Sequence, residues 1–284
     1  SKKKIAREYF YKLKVGFSKK SSMVQILNAP KKEKMFNKNY AFYSSTSSYM
    51  DDHFKKFSDQ IKRFLKLKNI YDPLIVEIGS NDGIMLKRFK KFDHLGIEPA
   101  KNVALVSKNK FNCNVLIEVF AKKTLNKIHR KFKKKVDVYY STNVLGHIED
   151  IKTVFKNISN SLSDKGILIF EDPYLGQIIK KNSYDQIYDE HIYFFSLISV
   201  SKLAEIHNLE IFDASAQQTH GGSMRYYLCK KNTYLKTKRL KQLLKNEKKL
   251  KLDELSTFKL FSKRVASSRD KLVNLLNKLK KQKK

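Results

Sequence analysis

The segment LIVEIGSNDG, residues 74–83, constrains this chain more than any other. An apolar run at positions 74–78 enters a turn carrying Gly79 and Gly83. A short continuous apolar run bounded by a turn reads as a strand buried on both faces. Alternation then follows: a helix over about 84–92, the strand LGIEP, a helix over about 100–109 and the strand NVLIEVF. A Lys-rich helix, the strand VDVYYS, a helix near 149–162 and the strand GILIFED continue it. Strands alternating with helices predict βαβ units and an α/β fold, with a mostly parallel sheet covered on both faces. Residues 173–195 interrupt the pattern as an aromatic-rich insertion. A helix over 196–207 and the strands LEIFDAS and GSMRYYLC close the sheet.

The flanks read differently. Residues 1–46 form a basic N-terminal segment with turn signals around Asn28-Ala29-Pro30. From 47 to 68, apolar residues at Met50, Phe54, Phe57, Ile61 and Phe64 fall at helical spacing and predict an amphipathic helix leading into the core. The core domain is thus expected over 47–232. Residues 233–284 read as a Lys-rich helical extension, with Leu240, Leu243, Leu244 and Leu250 on one face.

Composition excludes several classes. No apolar run is long enough to span a bilayer, so no membrane role is expected. The start, SKKKIAREYFYKLKV, lacks the apolar stretch of a signal peptide. Two cysteines, Cys113 and Cys229, are too few for a disulfide framework or zinc cluster, and fit a reducing cytoplasm. The formal charge of +33 admits a nucleic-acid or acidic-membrane partner. It does not favour one, because lysine greatly outnumbers arginine and is scattered, whereas base readers lean on the bidentate arginine fork. Oligomeric state is left open.

Parallel sheets bind ligands beyond the carboxyl ends of their strands, where the VEIGSNDG turn falls. Gly79 and Gly83 permit a tight turn and close approach of a ligand to the backbone. The spacing is not G-x-G-x-x-G, since Asn81 and Ile84 occupy the later glycine positions, and no Gly-Lys-Ser/Thr follows. It does resemble motif I of class I S-adenosylmethionine (SAM) methyltransferases, E/D-x-G-x-x-x-G. That resemblance implies a Rossmann-like sheet with its last strand antiparallel. It implies SAM as cofactor, S-adenosylhomocysteine (SAH) as product, and a cofactor site at Gly79, Ser80, Asn81, Asp82, Gly83, Glu98, Pro99 and Asn143. A carboxylate such as Glu98, ending the next strand, can accept both ribose hydroxyls.

Four later segments narrow the resemblance. NVLGHI (143–148), EDPYL (171–175), IYDEHIYFFS (187–196) and HGGSMR (220–225) stand in the order of the sugar C-methyltransferases that modify nucleotide-linked 4-keto-deoxysugars. Those enzymes carry roughly NVLAHI, E-x-PYL, IYHEH-x-(S)YFS and HGGSLR. The lead-in YAFYSSTSSYM (40–50) is also similar. The chemistry needs a base near neutral pKa to deprotonate the carbon beside the ketone, for which histidine is suited, and hydrogen-bond donors for the enolate. The resemblance implies that His191 is that base, with Tyr188 and Glu190 around it, Glu190 orienting the ring, and His147 near the ketone. It implies a substrate pocket at Tyr43, Tyr174, His220, Gly221, Ser223 and Arg225, with Arg225 on the diphosphate.

Departures are also visible. The family begins with a zinc-binding domain; here Ser18 and Ser21 stand where its second cysteine pair would be, so residues 1–46 read as a remnant that holds no zinc. Asp189 replaces the first His of His-Glu-His. The family's C-terminal Gly-Lys and Tyr-Gly-Ala segments do not appear, which predicts that its C-terminal domain is missing. Rival readings are a nucleic-acid methyltransferase, a small-molecule O-methyltransferase and a non-catalytic SAM-binding protein. Against the first, the fourth strand leads into Thr-Asn-Val-Leu rather than Asp/Asn-Pro-Pro-Tyr/Phe, and neither cysteine follows a proline.

Overall fold

A computed structural model describes residues 12–29 and 40–282. The rest of the predicted N-terminal segment lies outside these residues. A hairpin of β1 (Val15–Ser18) and β2 (Met23–Ile26) comes first. Ser18 and Ser21 sit in its turn, where the Ser21 N–H donates to Ser18 Oγ at 3.3 Å.

Helix α1 (Ser48–Leu67) follows. Ser47 caps it by accepting from Met50 N, and Phe54, Phe57, Ile61 and Leu65 face inward at spacings of three and four. Asn69, in a left-handed conformation, turns the chain after it.

The central sheet contains β3 (Leu74–Ile78), β4 (Asp93–Ile97), β5 (Val115–Leu116), β6 (Val136–Thr142), β7 (Leu162–Pro173), β9 (Leu209–Gln217) and β10 (Ser223–Lys230). Their order is β5-β4-β3-β6-β7-β10-β9. Every pair from β5 to β7 is parallel, and β10 runs antiparallel to both its neighbours. The sheet is therefore the Rossmann-like one that the sequence implied. All five residues of β3 are buried, as a doubly covered parallel strand requires. Helices α2 (Lys101–Phe111), α3 (Lys122–Phe132), α4 (Ile151–Ser161) and α6 (Leu197–Ile206) belong to the crossovers.

Two elements are shorter than expected. Residues 84–92 form only a one-turn 3-10 helix, Leu86–Phe89. The strand anticipated over NVLIEVF is two residues long, because its partner β4 ends at Ile97, opposite Leu116. The chain beyond it, freed from the ladder, runs to the carboxyl end of the sheet.

The insertion has structure of its own. It holds α5 (Leu175–Lys181) and the short strand β8 (Tyr193–Phe194). Strand β8 pairs with β2, so the N-terminal hairpin and the insertion build one three-stranded sheet. Helices α7 (Lys238–Lys249) and α8 (Leu255–Lys281) make up the basic extension. Glu247 of α7 is buried and accepts from Leu197 N at 2.7 Å and Ile198 N at 2.9 Å, capping α6 from another element. Phe258, Phe261 and Val265 of α8 pack with Phe17, Val24 and Ile178.

Candidate active site

Strand order reverses between β3 and β6, and a cleft of about 1040 Å³ opens there, beyond the strands' carboxyl ends. Its floor is the loop after β3. Gly79 has φ +72°, and a Cβ on it would strike both methyls of Val144, Cγ1 at 2.8 Å and Cγ2 closer still. Gly83 has φ +81°, and a Cβ there would meet Ser107 Cβ at 2.8 Å. Both glycines are thus required by backbone and by space.

Glu98, at the end of β4, accepts from Asn81 N at 2.9 Å and Ala100 N at 2.8 Å. Burial raises its pKa, while the two N–H groups pull it down. Two aligned backbone donors fix the carboxylate at the cleft wall with further lone pairs for ribose hydroxyls. Glu77, one strand over, is fully buried, accepts from Tyr140 Oη at 2.8 Å and titrates well above the carboxylate range because of burial.

The lead-in to α1 lies over this loop. Asn81 Oδ1 accepts from Ser44 N at 3.0 Å, its Nδ2 donates to Phe42 O at 3.1 Å, and Asp82 Oδ2 accepts from Ser45 N at 2.9 Å. Asn81 and Asp82 therefore spend their side chains on holding the roof. Tyr40, Phe42 and Ser44 line the cleft, whereas Tyr43 turns away and its hydroxyl accepts from Asn102 Nδ2 at 2.9 Å. Burial, then Glu190 and Glu98, push the Tyr40 hydroxyl up to about 12.

The opposite wall carries three imidazoles. His191 Nδ1 lies 2.9 Å from Gln186 O. A carbonyl can only accept, so Nδ1 carries the proton and Nε2 holds a lone pair. Tyr188 Oη donates to that Nε2 at 2.8 Å. Burial, with a contribution from His220, lowers the pKa of His191, so it is neutral at pH 7. Burial followed by Glu190 raises Tyr188 to about 12, and it remains a donor.

His147 packs edge-on to His191, ring centres 4.9 Å apart, and its Nδ1 donates to Glu190 O at 2.8 Å. Burial and His191 lower its pKa to about 4. Asn143, left-handed at φ 54°, donates from Nδ2 to His220 Nε2 at 3.0 Å.

The structure thus brings Gly79, Ser80, Asn81, Glu98, Pro99, Asn143, His147, Tyr188, Glu190, His191 and His220 to one cleft. Several expectations need correction. Glu190 does not orient His191; Gln186 O does, and the Glu190 backbone carbonyl holds His147 instead. Asp82 and Gly83 are buried within the loop itself and do not line the cleft. Tyr174 is buried with its hydroxyl on Glu247, because the α7–α6 junction supplies it an acceptor. Ser223 donates inward to Thr219 O at 3.1 Å, and Gly221 O accepts from Lys181 Nζ at 2.6 Å.

Arg225 is also corrected. It is 2% exposed and paired with Glu171, Nη2 to Oε2 at 2.7 Å, since a guanidinium taken from water needs a countercharge. Among the described residues the cleft lining holds no Lys or Arg. No group of three or more His, Cys, Asp or Glu among them is placed to hold a metal ion. No helix among them is long and apolar enough to cross a membrane.

Sequence reasoning missed Tyr40, Phe42, Gln186 and the 119–121 segment as lining. Only the lead-in offered a signal, through its resemblance. The 119–121 segment looked like strand.

Comparison with known proteins decides the family. Residues 49–214, more than half of the chain, match the family model described as "Methyltransferase domain". The chain belongs to this methyltransferase family. Residues 218–284 match a second model, "C-methyltransferase C-terminal domain". That match takes in β10, α7 and α8, where the sequence suggested a bare extension and a missing domain. The C-methyltransferase NovU of Streptomyces niveus is 29% identical over 195 residues, covering 65% of this chain and 44% of that protein. The chain therefore spans less than half the length of this curated relative.

Two solved structures of the plantazolicin methyltransferase BpumL, each with a desmethylPZN analog and SAH, share the fold. One is 16% identical over 64% of this chain and 88% of that one, the other 14% over 66% and 88%, both at a TM-score of 0.50. The glycine cradle and the Glu98 carboxylate fit SAM, the cofactor of this family.

Proposed function

We propose that this chain is a SAM-dependent C-methyltransferase acting on a nucleotide-linked keto-deoxysugar, with His191 as the base. The supporting observation is the His191 tautomer: a buried, neutral ring whose Nδ1–H is tied to Gln186 O, leaving Nε2 as a lone pair directed at Tyr188. SAM bound over Gly79 and Glu98 supplies an electrophilic methyl group.

The chain's own residues do the rest. His191 Nε2 takes the proton from the carbon beside the substrate ketone, and the C–H electron pair passes into an enolate. Substrate entry displaces the Tyr188 hydroxyl from Nε2, and that hydroxyl, still protonated, donates to the enolate oxygen. Gln186 O stabilises the imidazolium that forms, through Nδ1–H. His147, neutral at working pH, packs on the His191 ring and keeps it from rotating.

The test is His191→Asn assayed with nucleotide 4-keto-deoxysugars, alongside SAH titration. Turnover is expected to fall about 10²- to 10⁴-fold with SAH binding unchanged. Intact turnover in the variant would remove His191 from the mechanism, and transfer to oxygen in the product would remove the carbon assignment.

A further inference from the structure

One buried ion pair lies behind the cleft, and neither of its side chains lines it. Glu171 of β7 stands opposite Arg225 of β10 in the sheet register. Its carboxylate accepts from Arg225 Nε at 2.9 Å and Nη2 at 2.7 Å, and from Thr219 Oγ1 at 2.8 Å, and lies 2.9 Å from His53 Nε2. Arg225 Nη1 donates to Gln60 Oε1 at 2.6 Å, and its guanidinium lies 3.6 Å over the Phe57 ring centre. Glu171, Thr219 and Arg225 are at most 2% exposed, and none lines the cleft.

Such a pair is a weak source of stability, because desolvation offsets most of the attraction and well-packed apolar residues would serve as well. What it supplies here is geometry. The Glu171 carbonyl accepts from Asn143 N at 2.7 Å. Thr219, held by the Glu171 carboxylate, leads directly into His220. Asn143 and His220 then meet in the cleft, Nδ2 to Nε2 at 3.0 Å. Both have positive φ, 54° and 49°, a left-handed conformation that Asn and His adopt more readily than most residues. Glu171 bonds on both sides of the couple, its carbonyl to the Asn143 N–H and its carboxylate to Thr219.

We propose that the Glu171–Arg225 pair is a positioning device that locks the Asn143–His220 couple in the cleft, with Thr219 as its link to His220. Glu171, Thr219 and Arg225 are positioning residues and contact no substrate. The influence extends to the base: Glu171 acts electrostatically on His220, and His220 on His191. The kinetic consequence rests on the proposed methyltransferase reaction, whereas the structural one does not.

The decisive variant is Thr219→Val, which keeps shape and removes one hydrogen bond, with Thr219→Ser as the restoring control. In ¹⁵N-labelled wild-type protein, His220 Nε2 is expected to show the signal of an unprotonated, hydrogen-bonded nitrogen. In the Val variant, shown to be folded by circular dichroism, that signal should move toward exchange between the two tautomers, and Ser should restore it. With a keto-sugar substrate, kcat should drop roughly ten- to a hundredfold while KM stays near its original value. A His220 signal in Thr219→Val coincident with the wild type overturns the proposal. A wild-type chain that methylates no keto-sugar overturns the substrate assignment, and the His220 signal still decides the positioning role.

Discussion

Replacing Gly79 by Ala perturbs the floor of the cleft in two separable ways. The residue sits at φ +72°, where a Cβ crowds the backbone and costs about 1–2 kcal/mol. The new methyl would also enter space held by Val144, with Cγ1 at 2.8 Å. Val144 is β-branched and stiff at χ1, so it yields poorly, and overpacking of this kind costs about 1–3 kcal/mol. Together the loss is about 2–5 kcal/mol, a large part of the roughly 5–15 kcal/mol that a folded protein has.

Val144→Ala removes both clashing methyls and leaves φ untouched. Denaturant unfolding of wild type, Gly79→Ala, Val144→Ala and the double variant forms a cycle. Its coupling energy should be favourable by about 1–3 kcal/mol, the overpacking share alone. SAH affinity, read by calorimetry, should weaken in Gly79→Ala and recover in part in the double variant, since both residues line the cleft. A coupling near zero would refute the close approach of Gly79 and Val144.

Three further outcomes are expected. Arg225→Met leaves Glu171 buried without its main countercharge and should cost about 3–5 kcal/mol by chemical denaturation, most of it recovered in Glu171→Leu/Arg225→Met; no recovery would contradict the pairing. The acid limb of kcat/KM should lie below the ordinary histidine pKa near 6.5, because burial keeps His191 neutral and able to act as base as pH falls; a limb above that value would exclude it. Burial raises Glu247 from 4.5 to about 7, so its contribution is fully present below pH 4.5 and is lost as pH rises through 7. Relative to Glu247→Gln, wild-type stability should therefore fall by roughly 3 kcal/mol between pH 4.5 and 8, and a pH-independent difference would show that Glu247 is not the titrating group.

Chain order alone determined the βαβ core, the turn after β3 and the acidic end of β4. These follow from short-range regularities: apolar runs, helical spacing and glycine where no Cβ fits. His147, Tyr188 and His191 were legible through the resemblance of their segments, and neighbours such as Tyr188 and His191 meet within one tight turn. What the tertiary structure decided were the partners of polar groups far apart in sequence. Arg225 looked like a phosphate contact, but β10 pairs with β7 and sets it against Glu171, fifty-four residues away. Tyr174 looked like pocket lining until α7 brought Glu247 to its hydroxyl. A polar side chain is drawn to whichever partner remains when water is excluded, and sheet register, which no local pattern encodes across such distances, determines which partner that is.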